Sequence, residues 1–342
     1  MPLAPGSANS EARRGLVACV VVTYRRPTPL QRCLSMIQEQ DRRPDLLIVV
    51  DNDNDAAVEA LVAASPLVTR YLPARRNLGG AGGYAYGIAA ALAAGADWVW
   101  LADDDGRPGD QWTLSRLLSC AVEQDLDLVS PLVLDESDPA RLAFPLRRGL
   151  RWATYRHELE GVSLVPNVAN LFNGTLIAAS AVHSVGLPDL RLFVRGDEVD
   201  LHRRLRLSGR PFGTCVGATY LHPQGREDWR PLFGGRLSVL VPSDPSREET
   251  TYRNLGYLTS QRGLRWRRLP DAARYAWWFL AHERDLPGAV RWWRLASQGR
   301  RQRFPDRPAG TTAAQRRAAA DPAPPEDLAA PPLGRHVPLS RG

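Results

Sequence analysis

The sequence of 342 residues predicts an α/β protein with a mainly parallel sheet, a C-terminal helical region and a disordered tail. Three observations lead to this prediction. Short β-branched runs alternate with helical patterns through the first half of the chain, an order typical of parallel sheets with helices on both faces. Residues 250–304 are aromatic, basic and helical in pattern. Residues 305–342 are rich in Ala, Pro and Arg without apolar periodicity, which is typical of disorder.

The elements of the sheet follow from the spacing of apolar residues. In chain order, strands are predicted over 16–24, 45–51, 67–72 and 97–103, with helices over 29–40, 56–64 and 83–95 between them. Further along, the same criteria predict a helix over 110–124, strands over 126–134, 170–180 and 213–223, and an acid-led helix over 196–209. An irregular stretch containing Pro and Arg is expected up to about residue 165.

These elements divide the chain into four predicted parts. They are a flexible N-terminus (1–14), an α/β domain (15–235), a helical region rich in Trp and Arg (236–304) and the disordered tail (305–342). Because ligands bind beyond the carboxyl ends of parallel strands, the polar loops that follow the strands are expected to line one crevice.

Composition narrows the classes of protein. Four cysteines lie far apart without a CxxC pair, so neither a disulfide framework nor a zinc site is indicated and a reducing compartment is expected. No signal peptide or membrane span is recognisable, which predicts a cytoplasmic protein. The net charge is +7, and all 44 basic residues are arginine. A nucleic-acid-binding protein is therefore an alternative, although no nucleic-acid motif is present and the crevice is acidic.

The segment 265–304 holds ten arginines, three acids and five of the ten tryptophans. Its aromatic residues can pack a helical core, or Trp and Arg can lie at an anionic membrane surface. We expect a mixture, with some Trp in the core and an arginine face on the membrane.

Three adjacent carboxylates, Asp103, Asp104 and Asp105, end the buried run "WVWLAD". They repel one another unless a cation compensates, and oxygen ligands favour Mg²⁺ or Mn²⁺. Alternate residues of an extended segment face the same way, so Asp103 and Asp105 can hold one ligand while Asp104 points elsewhere and is expected to tolerate substitution. The alternative is an Asp-rich turn that caps the following helix.

Two further loops follow strands. In "VVDNDND" (49–55), an acid can contact a ribose or base, and the alternative is a turn with an N-cap at Asp55. In "NLGGAGG" (77–83), the backbone can approach a nucleotide or sugar, and the alternative is close packing of a helix on the sheet. The glycine spacing does not match a dinucleotide fingerprint, which disfavours an NAD-dependent oxidoreductase.

The segment "GDEVDLHRRLRLSG" (196–209) begins with acids and ends with arginines. A helix macrodipole favours this order without any catalysis, but acids at a helix start that faces a crevice can also supply a general base. His222 ends the next predicted strand, and a lone histidine is more often structural than a ligand.

Taken in order over residues 16–223, these motifs resemble glycosyltransferase family 2, whose members are inverting enzymes with the GT-A fold. The motifs are "VVVTYRRP", "VDN", "NLGGAGG", the aspartate cluster, and "GDEVDLHRRL" ahead of "HP". Within the family, "NLGGAGGYAYG", "WVWLADDDGRP", "FVRGDEVDL" and "YRNLGYLTSQ" are most similar to actinobacterial galactofuranosyltransferases that start cell-wall galactan on a polyprenyl-diphosphate-linked disaccharide. Rhamnosyltransferases that use dTDP-sugars share much of the pattern.

The resemblance implies roles for particular residues. It implies a divalent cation, Mg²⁺ or Mn²⁺, on Asp103, Asp105 and His222. The base would be Glu198, with Asp197 as the alternative because the usual order of the acid pair is reversed. The implied nucleotide and donor residues are Thr23, Arg25, Asp51, Asn52, Asp53, Asn77, Gly79, Gly82, Gly83, Asp103 and Asp104. The implied acceptor residues are Asn173, Gly174 and Asp200.

The implied reaction is inverting transfer of galactofuranose from UDP-galactofuranose to a polyprenyl-diphosphate-linked rhamnosyl-GlcNAc acceptor in galactan synthesis. Such an acceptor implies a peripheral enzyme on the inner face of the cell membrane. Neither the sequence nor the resemblance indicates an oligomeric state.

Overall fold

Four parallel strands form one half of the sheet, as the βαβ pattern predicts. The computed structural model describes residues 15–149, 151–225, 228–235 and 237–305. The strands are β1 (Val17–Thr23), β2 (Leu46–Asp51), β3 (Arg70–Pro73) and β4 (Trp98–Asp103), paired in the order β3-β2-β1-β4. Every residue of β1 is buried, because this central strand is covered on both faces.

Helices cover both faces of the sheet. They are α1 (Pro27–Gln38), α2 (Ala56–Ala64), α3 (Gly79–Ala93), α4 (Thr113–Glu123), α5 (Ala179–Val185) and α6 (Asp197–Ser208). α3 begins four residues before the predicted start, and the Asn77 side chain accepts a hydrogen bond from the Gly79 N–H at 2.8 Å just before its first turn.

The other half of the sheet contains both strand directions. It adds β5 (Arg107–Pro108), β6 (Leu128–Asp135), β10 (Thr175–Ala178) and β11 (Phe212–His222), and the order continues β4-β10-β6-β11-β5. β10 runs antiparallel to β4 and β6, whereas β11 runs parallel to β6. The predicted strand 170–180 is shortened to four residues, since the chain turns into α5 at Ala179.

The prediction of an irregular stretch up to about residue 165 is wrong. It contains a hairpin of β7 (Arg141–Arg148) and β8 (Arg151–Tyr155), and β9 (Leu164–Pro166) pairs with β11. Several residues of β7 and β8 are exposed, and Arg and Pro occur within these strands. Both features interrupt the alternation of apolar and polar residues that identifies a strand in a sequence.

The C-terminal region is mainly helical. A hairpin of β12 (Trp229–Leu232) and β13 (Leu237–Leu240) precedes α7 (Glu248–Leu258), α8 (Arg268–Ala276), a π-helical turn and α9 (Leu286–Arg300). The proposed domain boundary at 235/236 falls between the strands of this hairpin and stays a prediction. None of the described helices is long and apolar enough to cross a membrane.

The five tryptophans of the segment 265–304 divide between core and surface, as predicted. Trp278 and Trp292 are buried with Tyr252, Tyr275 and Phe279 in one cluster. The other three, Trp266, Trp277 and Trp293, are exposed. The predicted flexible N-terminus (1–14) and, except for Pro305, the predicted disordered tail lie outside the described residues.

We expect Gly87→Ala to lower the free energy of unfolding by about 1–3 kcal/mol. A Cβ on Gly87 in α3 would overlap Val20 and lie 3.0 Å from Val50 Cγ2, and both valines are buried in central strands that cannot give way. Urea denaturation measures this change. Gly217→Ala is the control, because no atom of the described residues lies within 4 Å of its added Cβ. Equal stability of the two variants would contradict this account of the packing.

Candidate active site

Three neighbouring strands end in polar residues at one edge of the sheet. Thr23 ends β1, Asp51 ends β2 and Asp103 ends β4. Thr23 is in register with Asp51, and Val22, one residue earlier, is in register with Asp103. The loops beyond these strands are therefore adjacent, as expected at the carboxyl ends of parallel strands.

Asp103, Asp105 and His222 form a group that can hold a metal ion. One oxygen of each carboxylate and one ring nitrogen all lie within 4.8 Å of one another. His222 ends β11, and its Nδ1 lies 2.6 Å from the Pro223 carbonyl oxygen, so an Nδ1–H can donate there and leave Nε2 as a ligand. Nε2 lies 3.1 Å from Asp105 Oδ1, which is buried and has no well-aligned hydrogen-bond donor among the residues that the structure describes. Two carboxylates, one of which has an unsatisfied oxygen, and an oriented imidazole fit a divalent cation.

The pKa values in this group reflect crowded charges. Burial and, to a smaller extent, repulsion from Asp105 and Asp104 together raise the pKa of Asp103 to about 7. For Asp105, burial also acts against the charge, but His222 and Arg26 outweigh it and lower the pKa. Burial disfavours the charge of His222, yet the adjacent Asp105 raises its pKa. A bound cation would relieve the repulsion between the carboxylates.

Asp104 points away from this group and connects β1 to β4. It is buried, and it accepts hydrogen bonds from Thr23 Oγ1 at 2.7 Å and from the Tyr24 N–H at 3.3 Å. These contacts lead us to expect that substitution of Asp104 loosens the loop, contrary to the tolerance expected from strand alternation alone.

Arg26 is a charged neighbour of the cluster that the sequence analysis missed. Its guanidinium lies 2.6 Å from Asp105 Oδ2 and 3.5 Å from Asp104 Oδ1. The cluster therefore has an internal cation as well as a candidate metal site. The signal was present in "VVTYRRP", because a second arginine after β1 lies beside the end of β4.

The loop after β2 is held by internal hydrogen bonds. Asp51 is fully buried; one oxygen accepts from the Asp53 N–H at 2.9 Å, and the other accepts from the Asp55 N–H and the Tyr71 hydroxyl, both at 2.8 Å. Asp55 caps α2, which confirms the predicted N-cap. Asp53 is ion-paired with Arg25. Asp51 thus organises the loop, and Asp53 and Arg25 are the more exposed charges.

The glycine-rich run brings α3 close to the sheet. A Cβ on Gly83 would lie 2.5 Å from Val22 Cγ1, and Gly79 has a φ of +68° against the Phe193 backbone. The Asn52 side chain donates to the Gly79 carbonyl at 3.0 Å. Gly82 faces Leu78 of the same turn. These contacts support the packing role of the run and place it beside the loop after β2.

The acids at the start of α6 differ in their surroundings. Glu198 lines a cavity of about 220 Å³, and its Oε1 accepts from the Leu171 N–H at 3.1 Å. Burial raises the pKa of Glu198. Burial and repulsion from the neighbouring Glu198 raise the pKa of Asp197 to about 7. Asp197 is more deeply buried, near Gly80 at the start of α3.

Asp200 is engaged within its own helix. Its two oxygens pair with Arg203 at 2.7 Å and Arg204 at 2.8 Å, and the carboxylate is buried. The structure therefore does not bring Asp200 together with the carboxylates of the crevice, and these contacts favour a structural role.

The loop 170–174 links the two acidic groups. Its Leu171 N–H donates to Glu198, and its Gly174 N–H donates to the carbonyl of Leu101, two residues before Asp103. Gly174 has a φ of +77° and lies against the Tyr220 ring. Asn173 donates to Asn170 Oδ1 at 2.7 Å, and its own Oδ1 is buried without a hydrogen-bond partner in the described part of the chain. An unpaired buried amide oxygen beside the cluster is a candidate ligand contact.

A sequence-family model, described as glycosyl transferase family 2, matches residues 18–177. The chain is also 55% identical over 295 residues to galactofuranosyltransferase GlfT1 of Mycolicibacterium smegmatis, covering 84% of this chain and 98% of that protein. The chain belongs to glycosyl transferase family 2. It is a glycosyltransferase, and the resemblance found in its sequence is confirmed.

Other relatives agree with membership of glycosyl transferase family 2. GlfT1 of Mycobacterium tuberculosis is 52% identical over 293 residues, with 84% of this chain and 96% of that protein covered. A crystal structure of residues 1–349 of S. aureus TarS has a TM-score of 0.53 at 13% identity, covering 84% of this chain and 81% of that crystallised fragment, and is alike in fold. The predicted GT-A fold is confirmed. Membership favours a glycosyltransferase over the oxidoreductase and nucleic-acid-binding alternatives.

Proposed function

We propose that this family 2 enzyme transfers galactofuranose from UDP-galactofuranose to a polyprenyl-diphosphate-linked rhamnosyl-GlcNAc acceptor in galactan synthesis. The observation that carries this proposal is the 55% identity to a galactofuranosyltransferase over 98% of that protein's length. The site supports it further, because the loop 170–174 contacts both Glu198, a carboxylate suited to act as a base, and β4, which ends at Asp103 of the group suited to a metal ion.

Glu198 is the proposed base. It lines a cavity, whereas Asp197 is more buried, and burial raises its pKa, which makes it a stronger base than an exposed glutamate. In the proposed reaction, Glu198 takes the proton of the acceptor hydroxyl as that oxygen attacks the anomeric carbon. The diphosphate leaves from the opposite face, so the configuration at that carbon inverts. The Leu171 N–H keeps the carboxylate in place throughout.

Asp103, Asp105 and His222 would hold the Mg²⁺ or Mn²⁺ ion, which when bound supplies positive charge for the departing diphosphate. Thr23 and the Tyr24 N–H hold Asp104 so that the loop keeps its shape. Thr23, Tyr24 and Asp104 thus have a positioning role: they preserve the separation between the metal ligands and Glu198.

The proposed donor contacts divide into direct and indirect. Arg25 and Asp53, at the more exposed end of the loop after β2, are candidates for contact with the nucleotide. Asp51, Asn52 and Asn77 act through the backbone that they hold. Gly79, Gly82 and Gly83 allow the start of α3 to approach the sheet beside that loop. On the acceptor side, Asn173 offers its unpaired oxygen beside Gly174, while Asp200 keeps α6 in place.

An acceptor carried on a lipid requires the enzyme to work at a membrane. We propose peripheral association with the inner face of the cell membrane through the region 265–304, where Trp and Arg are exposed.

Incubation with nucleotide sugars tests the proposed function. The purified chain, Mg²⁺ and a synthetic prenyl-diphosphate disaccharide would be given UDP-galactofuranose, UDP-galactopyranose or dTDP-rhamnose in separate reactions. We expect a product from UDP-galactofuranose alone, with a hexose increment by mass spectrometry and an inverted furanose linkage by NMR. Transfer from dTDP-rhamnose without transfer from UDP-galactofuranose would instead assign a rhamnosyltransferase.

A further inference from the structure

A basic cavity lies in the C-terminal region, among elements that are separate from the acidic crevice. Its volume is about 500 Å³. Four arginines, three hydroxyl residues and one tryptophan line it: Arg265, Arg268, Arg300, Arg301, Thr259, Ser260, Ser297 and Trp293. No carboxylate is among the lining residues, so the cavity concentrates positive charge.

These four arginines have no carboxylate partner among the described residues. Arg265 donates to the Ser260 carbonyl at 3.1 Å and Arg300 to Ser297 Oγ at 2.6 Å, and both acceptors are neutral. Burial and repulsion from Arg268 and Arg301 lower the pKa of Arg300. Repulsion between unpaired guanidinium groups indicates that an anion belongs in the cavity.

Two neighbouring arginines on the same helices are paired with acids. On α8, Arg274 pairs with Asp271, and on α9, Arg291 lies 2.7 Å from Glu248. Arg267 also lies within ion-pair distance of Asp271. The arginine-rich region therefore contains ion pairs close in sequence to a cavity whose described lining has none.

Exposed apolar side chains border the cavity. Trp293 lines it and is 61% exposed, while Trp266 and Leu269, next in sequence to two of the arginines, are 69% and 79% exposed. On α9, exposed Leu286 and Val290 precede Trp293 at helical spacing. One stripe of α9 thus changes from apolar to basic along its length, with Ser297, Arg300 and Arg301 at its end.

We propose that this cavity binds the phosphate group of an anionic membrane lipid, with the bordering apolar side chains inserted among the acyl chains. Arginine forks match phosphate oxygens, and Trp beside Arg suits the boundary between headgroups and hydrocarbon. A free phosphate would account for the arginines but not for the exposed Trp266, Leu269 and Trp293. This inference rests on the proposed membrane association and names the site that carries it.

Vesicle flotation of the full chain tests the site. The wild type is expected to bind phosphatidylglycerol/phosphatidylcholine vesicles and to bind phosphatidylcholine vesicles weakly. The double variant Arg268→Gln/Arg301→Gln should bind the anionic vesicles at least about tenfold more weakly, because two phosphate-binding charges are lost. The matched control Arg148→Gln/Arg151→Gln removes the same charge from the exposed β7–β8 hairpin and should change binding less than about twofold. Equal effects of the two double variants would overturn the site.

Further experiments determine which kind of anion the cavity binds. Trp293→Ala should weaken vesicle binding while leaving the binding of inorganic diphosphate, measured by calorimetry, unchanged. Diphosphate binding without any preference for anionic vesicles would overturn the lipid assignment. Binding of a DNA duplex that is lost in Arg268→Gln/Arg301→Gln, without vesicle binding, would overturn it in favour of nucleic acid.

A separate assay distinguishes this inference from the proposed function. Transfer of galactofuranose to a water-soluble, short-chain acceptor does not require a membrane. The double variant should therefore keep this activity within about twofold of the wild type, because no residue that lines the cavity belongs to the proposed base or metal group. Absence of transfer by the wild type would refute the proposed function, whereas vesicle binding reports on the cavity alone.

Discussion

Glu198→Gln is expected to lower the kcat of sugar transfer by about 10²–10⁴-fold, the usual contribution of a positioned general base. Glutamine has nearly the same volume, and its amide oxygen can still accept the hydrogen bond from the Leu171 N–H. The substitution thus removes the basic oxygen while keeping the local contacts. Steady-state kinetics with UDP-galactofuranose and a short-chain acceptor measure the change, and the KM for the donor should stay close to that of the wild type.

Asp197→Asn is the matched comparison for Glu198→Gln. Asp197 is the neighbouring acid, and it is more deeply buried against α3. We expect a smaller loss of kcat from Asp197→Asn, accompanied by a change in thermal stability that reports its structural role. A near-normal rate for Glu198→Gln together with a large loss for Asp197→Asn would assign the base to Asp197.

The pH dependence of the reaction follows from the same geometry. Burial raises the pKa of Glu198, so its carboxylate accepts a proton at a higher pH than an exposed glutamate does. A base must be deprotonated to act, and kcat/KM should therefore fall as the pH falls through this raised value. In Glu198→Gln the residual rate should lack that limb of the profile. An unchanged acid limb in the variant would show that another group controls it.

The sequence allowed prediction of the features that depend on local periodicity. Runs such as "VACVVVT" and "WVWLAD" identify strands, and the carboxyl ends of parallel strands meet at one edge, so Asp51 and Asp103 could be assigned to neighbouring loops. The N-cap at Asp55 likewise follows from residue type and position.

Contacts between distant segments were not predictable in this way. Arg26 meets Asp105 only because β1 and β4 are adjacent, and nothing in the sequence near residue 171 indicates that a backbone N–H holds Glu198. The β7–β8 hairpin was missed because its strands are partly exposed and interrupted by Arg and Pro, which removes the two-residue alternation.

The triplet of aspartates shows how one motif can divide its roles. Asp104 faces inward to Thr23 and Tyr24, whereas Asp103 and Asp105 lie with His222 in a separate group. Hydrogen bonds satisfy Asp104, while Asp105 Oδ1 is left without a well-aligned donor. The structural reading of the motif, a turn fastened by an Asp, and the functional reading, a cation site, therefore apply to different residues of the same loop.

Asp105→Asn is expected to weaken Mn²⁺ binding and to lower kcat by about 10²-fold or more, since a metal ion on a leaving diphosphate contributes several kcal/mol and ~1.4 kcal/mol corresponds to a factor of ten. The amide has nearly the same shape as the carboxylate, but it removes one of the two negative charges that the group offers to a cation. Mn²⁺ titration followed by electron paramagnetic resonance measures binding independently of activity. In the wild type, chelation should abolish transfer, and added Mn²⁺ or Mg²⁺ should restore it.

Glu136→Gln provides the control for this substitution. Glu136 is a nearby carboxylate paired with Arg107 on β5 at 2.7 Å, but it does not belong to the Asp103, Asp105 and His222 group. Its loss should leave Mn²⁺ binding within about twofold of the wild type, the change expected for a partly exposed ion pair. Transfer that persists after chelation would contradict the metal site. Mn²⁺ binding that is unchanged in Asp105→Asn would instead show that the ion is held elsewhere, and Arg26 would then remain as the counter-charge that the structure places on this carboxylate.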